Sequence, residues 1–600
     1  MITITNYGFV IDNRKCIGCH ACTVACKAEH DDPIGVNKTW VKYIEKGDFP
    51  DTSRKFSVMR CNHCDDSPCT DVCPVTALWE REDGIVDFDP ERCIGCQACM
   101  QGCPYDALYI DPETSTAAKC NYCSHRVDSG REPACVTVCP EDAIIAGDME
   151  NPDTEITETV SQQEVQARKP EKGTEPKLFY VDGDEGSIRP GSTAREKHYM
   201  WSDAPSEMET RGAAQEDFDL QRAAESLADS DVSLSNVETE KVKTKPDGGV
   251  RSGTAGKEEC GCDSCQCSKD SDRMASDGGV ATDEQSAESG SSSKTERAYE
   301  LLHDEAQRVY DVGENHRTSW GWEVYSYTWT KSISAGVFLL PALLMLGGVI
   351  EPSTELVGAS ALLSMVFLGL TDLLLVVDLH QPKRFHWVLL RPNWKSWLVK
   401  GAYIITGYGA FLGLTFVGAA LGIDAVVDPV VLTIGAILAT ATAVYTAFLF
   451  SQSKGRDLWQ SAAMPLHMFV QALVAGAAAT ALVGLGGAGL LPGIETEALT
   501  EPSGLALAGG LVVHAAIIGS EIFTPHQTED AEEAAARIVC GSFRTAFWAG
   551  GIGLGIAVPL VILAVSTSPL AVAAASVAAL AGLFAYEYCW IVAPQTISLA

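Results

Sequence analysis

Eight long apolar runs fill the C-terminal part of the chain. They cover approximately residues 333–350, 356–377, 397–421, 430–450, 466–490, 505–523, 546–565 and 570–592. Each run is near the ~20 residues that a helix needs to cross the ~30 Å hydrocarbon layer. Gly, Ala, Ser and Thr recur within them, which suits close packing of helices in lipid. A soluble bundle is the alternative, but these runs have no polar face to present to water. The pattern predicts an all-α membrane domain of eight helices at residues 317–600.

The segment before these runs has no apolar periodicity. Residues 201–300 contain 23 Asp and Glu against 11 Lys and Arg, with many Ser and Gly. Such a segment cannot bury enough apolar surface to offset the entropy lost on ordering. We therefore expect residues 201–316 to form an acidic, disordered linker. Inside it, Cys260, Cys262, Cys265 and Cys267 form CGCDSCQC, which is either a metal site or an incidental patch of thiols.

Residues 1–200 are polar and rich in cysteine. Sixteen of the 22 cysteines lie between positions 16 and 139, in four groups of four. The groups are Cys16, Cys19, Cys22, Cys26; Cys61, Cys64, Cys69, Cys73; Cys93, Cys96, Cys99, Cys103; and Cys120, Cys123, Cys135, Cys139. The first and third share the spacing CxxCxxCxxxC, so the region is an internal repeat. We expect a duplicated α+β domain of the bacterial ferredoxin type.

The spacing CxxCxxCxxxC is typical of ferredoxin [4Fe–4S] ligands, in which the fourth cysteine binds the other cluster of a pair. Zinc sites instead use two CxxC pairs separated by a longer loop. A disulfide framework is the third possibility, but it is usual in small secreted domains. The N-terminal segment contains neither an apolar signal core nor twin arginines, so we expect the thiols to meet a reducing compartment first. Four [4Fe–4S] clusters are the favoured interpretation.

The first 180 residues resemble the four-cluster iron–sulfur subunit of dimethyl sulfoxide and polysulfide reductases. The resemblance covers all sixteen cysteines and the segment GTEPKLFYV at 173–181, where a closing strand is expected. It implies that groups one and four exchange their last cysteine, as do groups two and three. The implied ligand sets are Cys16, Cys19, Cys22, Cys139; Cys120, Cys123, Cys135, Cys26; Cys61, Cys64, Cys69, Cys103; and Cys93, Cys96, Cys99, Cys73.

The membrane part resembles the NrfD/PsrC-type anchor of the polysulfide reductase family. The matching text is WGWEVYSYTWTKSISAG at 320–336, DLHQPKRFHWVLLRPNWKSWLVKGAY at 378–403 and YTAFLFSQSKGRDLW at 445–459. His380-Gln381 stands where the family usually has Gly-Arg. The resemblance implies that quinol, such as menaquinol, binds near the iron–sulfur domain, and that no haem is present.

Three residues are candidates for a quinol site. Ionisable groups at membrane depth are functional suspects, and Lys331, Asp372, Asp378 and Glu521 meet that description. We expect Lys331 to begin the first helix, Asp378 to end the second and Tyr445 to approach the end of the fourth, all on the side of the N-terminal domain. Asp378 would act as the base, with Asp372 as the alternative. Interfacial placement of a lysine or an end-capping aspartate is the structural explanation for each residue alone.

A haem ligated by two histidines can be examined from the sequence alone. The predicted spans contain only His467 and His514. His467 begins the fifth run and His514 lies midway along the sixth. At 1.5 Å per residue their depths would differ by about 15 Å, so we expect no haem.

The distribution of basic residues between the loops predicts the orientation of the helices in the membrane. Loops on the N-terminal side contain Lys383, Arg384, Arg391, Lys395, Lys454, Arg456, Arg537 and Arg544, and the opposite loops contain neither Lys nor Arg. The positive-inside rule then predicts a cytoplasmic iron–sulfur domain, although relatives that face outward leave docking as a second explanation of the basic loops. The net charge of −35 argues against nucleic-acid binding, which needs a basic face.

The sequence contains no molybdopterin, nucleotide or nucleophile motif, so we expect a non-catalytic electron-transfer subunit. The expected partner is a molybdopterin-containing catalytic subunit, with electrons flowing from membrane quinol to a terminal acceptor in anaerobic respiration. Two alternatives remain: reverse flow from a dehydrogenase into quinone, and a haem-free transmembrane conduit without quinone chemistry.

Overall fold

The computed structural model describes residues 5–47, 50, 52–189, 306–310, 319–490 and 496–599. Most of the predicted linker, including Cys260, Cys262, Cys265 and Cys267, lies outside the described residues. The described chain has a cysteine-rich half, residues 5–189, built of strands and short helices, and a helical half, residues 319–599. The predicted fold class is confirmed in both halves.

Short strands make up the framework of the cysteine-rich half. They are β1 Tyr7–Asp12, β2 Thr39–Lys46, β3 Ser53–Arg60, β4 Leu78–Glu80, β5 Val86–Phe88, β6 Leu108–Ile110, β7 Ala117–Lys119, β8 Ile144–Asp148, β9 Val165–Ala167 and β10 Leu178–Val181. The helices between them are α1 Ala21–His30, α2 Pro68–Val72, α3 Ala98–Gly102, α4 Ser124–Val127, α5 Ala134–Thr137, α6 Glu155–Gln162 and α7 Glu185–Ile188.

The largest sheet closes the two ends of this half onto each other. Its strand order is β8-β1-β10-β9, with β1 parallel to β10 and antiparallel to β8. Phe9 of β1 is in register with Leu178 of β10, and both side chains are buried. The strand that the sequence predicts within residues 173–181 is therefore present, as β10.

One part of the predicted linker is ordered. Residues Ala306–Tyr310 form strand β11, which pairs antiparallel with β2 and extends the β2–β3 hairpin. The expectation of disorder is wrong for these five residues. The reason is that the edge of β2 offers a row of unpaired backbone groups, which a passing segment satisfies whatever its composition.

Besides short 3₁₀ turns, the described part of the helical half contains ten helices. They are α8 Trp322–Leu346, α9 Thr354–Val377, α10 Trp387–Leu390, α11 Trp397–Ala420, α12 Pro429–Gln452, α13 Met464–Leu490, α14 Thr496–Phe523, α15 Glu529–Val539, α16 Ala546–Val565 and α17 Pro569–Val592. Eight of them are long and apolar enough to cross a membrane. They correspond one for one to the eight predicted runs.

The first of these helices differs from its prediction. It begins at Trp322, eleven residues before the apolar run at Ile333. Its first turns carry Tyr, Thr and Lys side chains that face the bundle interior, so that Tyr327 and Lys331 are buried. Lys331 therefore lies about 14 Å along the helix from its start, at 1.5 Å per residue, and does not begin it.

Helix α8 is central and packs closely on α13. Gly336 and Gly476 face each other at this crossing, and a Cβ on Gly336 would overlap the carbonyl oxygen of Ala472. Small residues of this kind let two helix backbones approach in lipid. The approach matters because it brings the polar residues of α8 beside those of α13.

The two halves contact each other through the loops of the helical half. The Asn393 side-chain amide donates to the carbonyl oxygens of Cys73 at 2.8 Å and Thr70 at 3.2 Å. The Ser396 hydroxyl donates to the carbonyl oxygen of Val72 at 2.8 Å. These contacts hold the second cysteine group against the membrane domain.

Basic side chains of the same loops also bind the cysteine-rich half. Arg384 donates to the carbonyl oxygen of Cys93 at 2.7 Å, and Arg456 donates to Gln101 Oε1 at 2.9 Å. Lys395 pairs with Asp71 at 3.0 Å and Lys454 with Asp66 at 3.1 Å. Four of the eight basic residues used for the topology prediction therefore bind the cysteine-rich half to the helical half.

Candidate functional site

Two cavities in the cysteine-rich half are each lined by four cysteines from two sequence groups. Cys16, Cys19, Cys22 and Cys139 line one. The other is lined by Cys73, Cys93, Cys96 and Cys99. In both, three thiols come from one CxxCxxC run and the fourth comes from a distant Cys-Pro.

The remaining eight thiols form two further groups. Burial raises the pKa of Cys26, and the nearby thiols of Cys120, Cys135 and Cys123 raise it further. Burial likewise raises the pKa of Cys69, with added contributions from Cys103, Cys61 and Cys64. Cys26 is thus near Cys120, Cys123 and Cys135, and Cys69 is near Cys61, Cys64 and Cys103. The exchange of last cysteines that the family resemblance implies stays a prediction for these eight thiols.

The four groups form a row. Burial raises the pKa of Cys22 to about 11, and Cys135 of the neighbouring group contributes to the increase. Burial raises the pKa of Cys120 to about 12, with a contribution from Cys61 of the next group. In the same way Cys69 acts on the buried Cys99 and raises its pKa. These three links order the groups from the Cys16 cavity to the Cys96 cavity.

Backbone amides point at several of these sulfurs. Gly95 N donates to Cys93 Sγ at 3.3 Å, Ala77 N to Cys73 Sγ at 3.2 Å and Ala143 N to Cys139 Sγ at 3.3 Å. Such donors stabilise thiolates, and hydrogen bonds to sulfur are among the features that tune iron–sulfur centres. Within the described residues, no three ligand-type side chains surround a single metal-ion position. A cubane binds each thiolate at a different iron, so the residues present fit clusters.

The repeated CIGC turns have the same backbone geometry. Gly18 and Gly95 have φ of +69° and +70°, and His20 and Gln97, two residues later, both have φ of 59°. Glycine reaches positive φ without steric cost. At Gly95 the turn also touches the helical half, since an added Cβ would lie 2.5 Å from Cβ of His380.

A third cavity, of about 260 Å³, lies beside this contact. Its wall includes Gln97 of the cysteine-rich half and Glu323, Asp378 and His380 of the helical half. Asp378 directly follows α9 and is partly buried. Burial raises the pKa of Asp378 to about 7, and the Glu323 carboxylate raises it further. Cys96, across the contact, is close enough for Asp378 to raise the pKa of its thiol, which burial already raises.

Lys331 and Tyr445 lie together inside the bundle. The Lys331 ammonium stands 5.2 Å from the centre of the Tyr445 ring. It donates to the Ala443 carbonyl oxygen at 3.0 Å and to Thr446 Oγ1 at 2.6 Å. Both residues are buried, so two of the three predicted quinol-site residues share one place.

The link between this pair and Asp378 is a residue that the sequence analysis missed. Tyr327 lies one turn before Lys331 on α8 and interacts electrostatically with both Tyr445 and Asp378. A tyrosine in an aromatic first turn carries no sequence signal that separates it from packing. Asp372, the alternative base, is exposed on α9 and interacts electrostatically with Tyr445.

The two membrane histidines are in direct contact. His467 Nε2 and His514 Nε2 lie 3.0 Å apart, so the expected depth difference of about 15 Å is wrong. Helix α13 begins at Met464 and α14 ends at Phe523, and the two imidazoles reach towards each other across the remaining offset. As the rings stand, they leave no space for a haem iron between their nitrogens. Glu521 Oε2 lies 2.5 Å from the other nitrogen of His467.

Comparisons with known proteins agree with this architecture. Residues 311–599 match the family described as "Polysulphide reductase, NrfD". Residues 15–78 and 53–149 each match a family described as "4Fe-4S dicluster domain". A tetrathionate reductase subunit of Salmonella typhimurium is 43% identical over 188 residues, which are 31% of this chain and 75% of that protein. This protein belongs to the family of reductase iron–sulfur subunits, here joined to an NrfD-type membrane domain.

Two further relatives show the same coverage. A polysulfide reductase chain of Wolinella succinogenes is 42% identical over 187 residues, 30% of this chain and 97% of that protein. A putative iron–sulfur subunit of dimethyl sulfoxide reductase from Halobacterium salinarum is 36% identical over 217 residues, 31% of this chain and 83% of that protein. The chain is therefore a multi-pass membrane protein with several 4Fe–4S clusters and the membrane-anchor and electron-transfer domains of such reductases.

Proposed function

We propose that this chain passes electrons between membrane quinol and a molybdopterin-containing catalytic subunit of an anaerobic respiratory reductase. The observation that carries the proposal is the contact between the Cys96 turn and the Asp378 cavity. It brings the last thiol group of the row beside ionisable residues at the membrane surface. An electron donor bound in the membrane would therefore be close to a redox centre in the cysteine-rich half.

The sixteen cysteines are the proposed ligands of four [4Fe–4S] clusters. The sets are Cys16, Cys19, Cys22, Cys139; Cys120, Cys123, Cys135, Cys26; Cys61, Cys64, Cys69, Cys103; and Cys93, Cys96, Cys99, Cys73. Clusters held there would supply one-electron redox centres, which suit stepwise removal of the two electrons of a quinol. The row of thiol groups supports a path from the membrane surface to the far Cys16 cavity, where Cys19 is exposed.

Asp378, Tyr445 and Lys331 are the proposed quinol site. A carboxyl whose pKa is near 7 can take a proton from quinol at neutral pH, which suits Asp378 as the base. Tyr445 can hydrogen-bond a quinone oxygen, and the buried Lys331 ammonium can stabilise negative charge that develops on it. Tyr327 interacts electrostatically with Tyr445 and with Asp378. No haem is part of this proposal.

The iron–sulfur domain is proposed to face the cytoplasm. Arg384, Lys395, Lys454 and Arg456 bind the cysteine-rich half. Four further basic residues lie on the side of the iron–sulfur domain: Lys383, Arg391, Arg537 and Arg544. The opposite loops contain no Lys or Arg, so the asymmetry that the positive-inside rule uses persists.

The test is reduction of the clusters by a menaquinol analogue in the purified, detergent-solubilised protein. The expected result is bleaching of the iron–sulfur absorbance by quinol, blocked by an inhibitor that mimics the quinone headgroup. Reoxidation by quinone of dithionite-reduced protein, without reduction by quinol, would favour the reverse flow from a dehydrogenase. If quinol does not reduce the clusters and quinone does not reoxidise them, although dithionite still reduces them, the protein is a transmembrane electron conduit without quinone chemistry.

A further inference from the structure

A second set of polar residues lies buried in the helical half, behind the proposed quinol site. We call it the buried array. It consists of Lys331 of α8, His467 and Gln471 of α13, His514 and Glu521 of α14, and Glu587 of α17. All six side chains are buried, four of them are acids or histidines, and none of these four belongs to the proposed quinol site.

The members of the array are linked one to the next. The side chains of Lys331 and Glu587 interact electrostatically. Gln471 donates to Glu587 Oε1, and Gln471 lies one turn after His467 on the same helix. His467 also interacts electrostatically with Glu587. His467 in turn contacts Glu521 at 2.5 Å and His514 at 3.0 Å.

Several oxygens within the array have no protein partner. They are Glu521 Oε1, Glu587 Oε2 and Gln471 Oε1, and the hydroxyl oxygen of the adjacent Tyr586, whose ring centre lies 5.4 Å from that of His467, is likewise without a partner. Buried polar atoms in proteins are satisfied by protein groups or by ordered water. Two carboxylates, each with an unpartnered oxygen, therefore provide places for ordered water within the array.

The buried array runs from the interior of the helical half towards one membrane surface. Glu521 lies two residues before α14 ends at Phe523, and α15, which follows, binds the cysteine-rich half through the ion pair of Asp530 with Lys169 at 3.0 Å. One end of the array is therefore near the membrane surface on which the cysteine-rich half sits. The other end, at Lys331, is the deep end of the proposed quinol site.

A purely structural role explains the array less well. Ionisable residues inside a membrane domain are costly to bury, and neutral amides or hydroxyls would satisfy the same hydrogen bonds. A haem between the histidines does not fit their 3.0 Å contact. A buried chain of alternating carboxylates and imidazoles is instead the composition of a proton relay.

We propose that the buried array carries protons from quinol oxidation to the membrane surface on the iron–sulfur side. This inference rests on the proposed quinol site. Oxidation of one quinol to quinone releases two electrons, which go to the clusters, and two protons. Asp378 takes one proton. The other passes from the quinol hydroxyl to Glu587 and then through water to His514. It crosses the Nε2–Nε2 contact to His467, which gives its Nδ1 proton to Glu521, and Lys331 takes no part in the transfer.

The test uses Glu521→Gln in the full chain, reconstituted in liposomes with a menaquinol analogue and a soluble oxidant for the clusters. Gln keeps the size of Glu but cannot carry a proton away. The expected result is quinol oxidation slowed by about 10²-fold, the low end for loss of a positioned proton-transfer group. The solvent isotope effect should rise, and a small weak acid such as azide should restore the rate. Quinol KM should stay unchanged.

The matched control is Tyr408→Phe, which removes a buried hydroxyl bonded to Ser364 at 2.9 Å outside the array. It should oxidise quinol at the wild-type rate. His467→Gln provides a second array variant with the same expected defect, and both are checked for wild-type absorbance on reduction by dithionite. A Glu521→Gln protein with wild-type rate and isotope effect would overturn the inference. So would a slow variant that azide does not restore. Failure of the wild-type protein to oxidise quinol would instead contradict the proposed function.

Discussion

The guanidinium of Arg60 donates from Nη1 to Cys135 Sγ at 3.1 Å. Arg60 is fully buried, its plane lies 4.5 Å from the centre of the Phe9 ring, and the charges of Cys135, Cys120 and Cys22 act on it. It is therefore a fixed positive charge between two proposed ligand sets. One set contains Cys16 and Cys22, and the other contains Cys120 and Cys135. A positive charge favours the reduced, more negative state of a nearby iron–sulfur centre.

Replacing Arg60 should lower the reduction potential of one cluster. Hydrogen bonds to charged groups contribute about 1.5–3 kcal/mol, which corresponds to about 60 mV or more for a one-electron couple. Arg60→Met should produce this decrease in an EPR-monitored redox titration, and Arg60→Lys, which keeps the charge, should produce a smaller one. Arg54→Met is the control, because Arg54 lies on the same strand but is exposed and pairs with Glu45. If all three variants have the same reduction potentials as the wild-type protein, Arg60 does not influence the potential of any cluster.

The cluster count gives a direct chemical prediction. Four cubanes require about sixteen irons and sixteen acid-labile sulfides per chain. Cys96→Ala should remove one cluster or change its type. It should leave the EPR signal of the cluster bound by Cys16, Cys19, Cys22 and Cys139 unchanged, because that cluster lies at the other end of the row. Stoichiometric zinc with little sulfide would contradict the ligand assignment.

The contacts between the two halves should differ in strength. Arg384 is partly buried and donates to the carbonyl oxygens of Cys93 and Pro90, so Arg384→Ala should lower the free energy of unfolding of the cysteine-rich half by about 1–2 kcal/mol. Lys395 is 76% exposed in its pair with Asp71, and Lys395→Ala should cost less than about 0.5 kcal/mol. Thermal loss of the iron–sulfur absorbance measures both. A larger effect from Lys395 would contradict this ranking.

The four cysteine groups were visible in the sequence because cluster ligands recur at fixed spacings, whereas the exchange of their last cysteines came from the family resemblance. The runs that contain Cys16 and Cys93 repeat the same turn, and the structure repeats its φ angles. The eight spans were equally accessible, since length and apolarity decide them. The start of α8 was not, because its polar first turns face the interior, and hydropathy records composition without direction.

The histidine contact could not be inferred from position along the chain. Counting residues from helix starts gave His467 and His514 different depths, but helix tilt and side-chain length decide whether two residues meet. Glu587 had a visible signal, an acid within an apolar run, and was overlooked. Its partner Gln471 carried no comparable signal. Linkage among buried residues is a property of packing between helices, which a single sequence does not specify.

The side of the membrane is open to a labelling experiment. If the iron–sulfur domain is cytoplasmic, an impermeant thiol reagent applied to intact cells should leave the cysteines at positions 260–267 unmodified. Permeabilised cells provide the control, in which these cysteines should react. Modification in intact cells would reverse the orientation and assign the basic loops to docking alone.

The last prediction concerns the base of the quinol site. Asp378→Asn should abolish reduction of the clusters by quinol while leaving cluster content and reduction by dithionite intact, because the amide cannot accept the quinol proton. In the wild-type protein the rate should rise with pH through about 7, since the pKa of Asp378 is raised to about 7 by burial and by Glu323 and the deprotonated carboxylate is the acting form. Glu323→Gln should move this midpoint to lower pH by removing the neighbouring negative charge.

Asp372→Asn is the matched control for Asp378→Asn. Asp372 lies six residues earlier on the same helix, but it is exposed and is not among the residues that line the cavity beside Asp378. Its replacement should therefore leave quinol-dependent reduction near the wild-type rate. If Asp372→Asn abolishes turnover and Asp378→Asn does not, the base lies deeper in the membrane, and quinol approaches from the lipid face of α9. Should both variants and a headgroup inhibitor have no effect, the site at the Cys96 contact does not oxidise quinol.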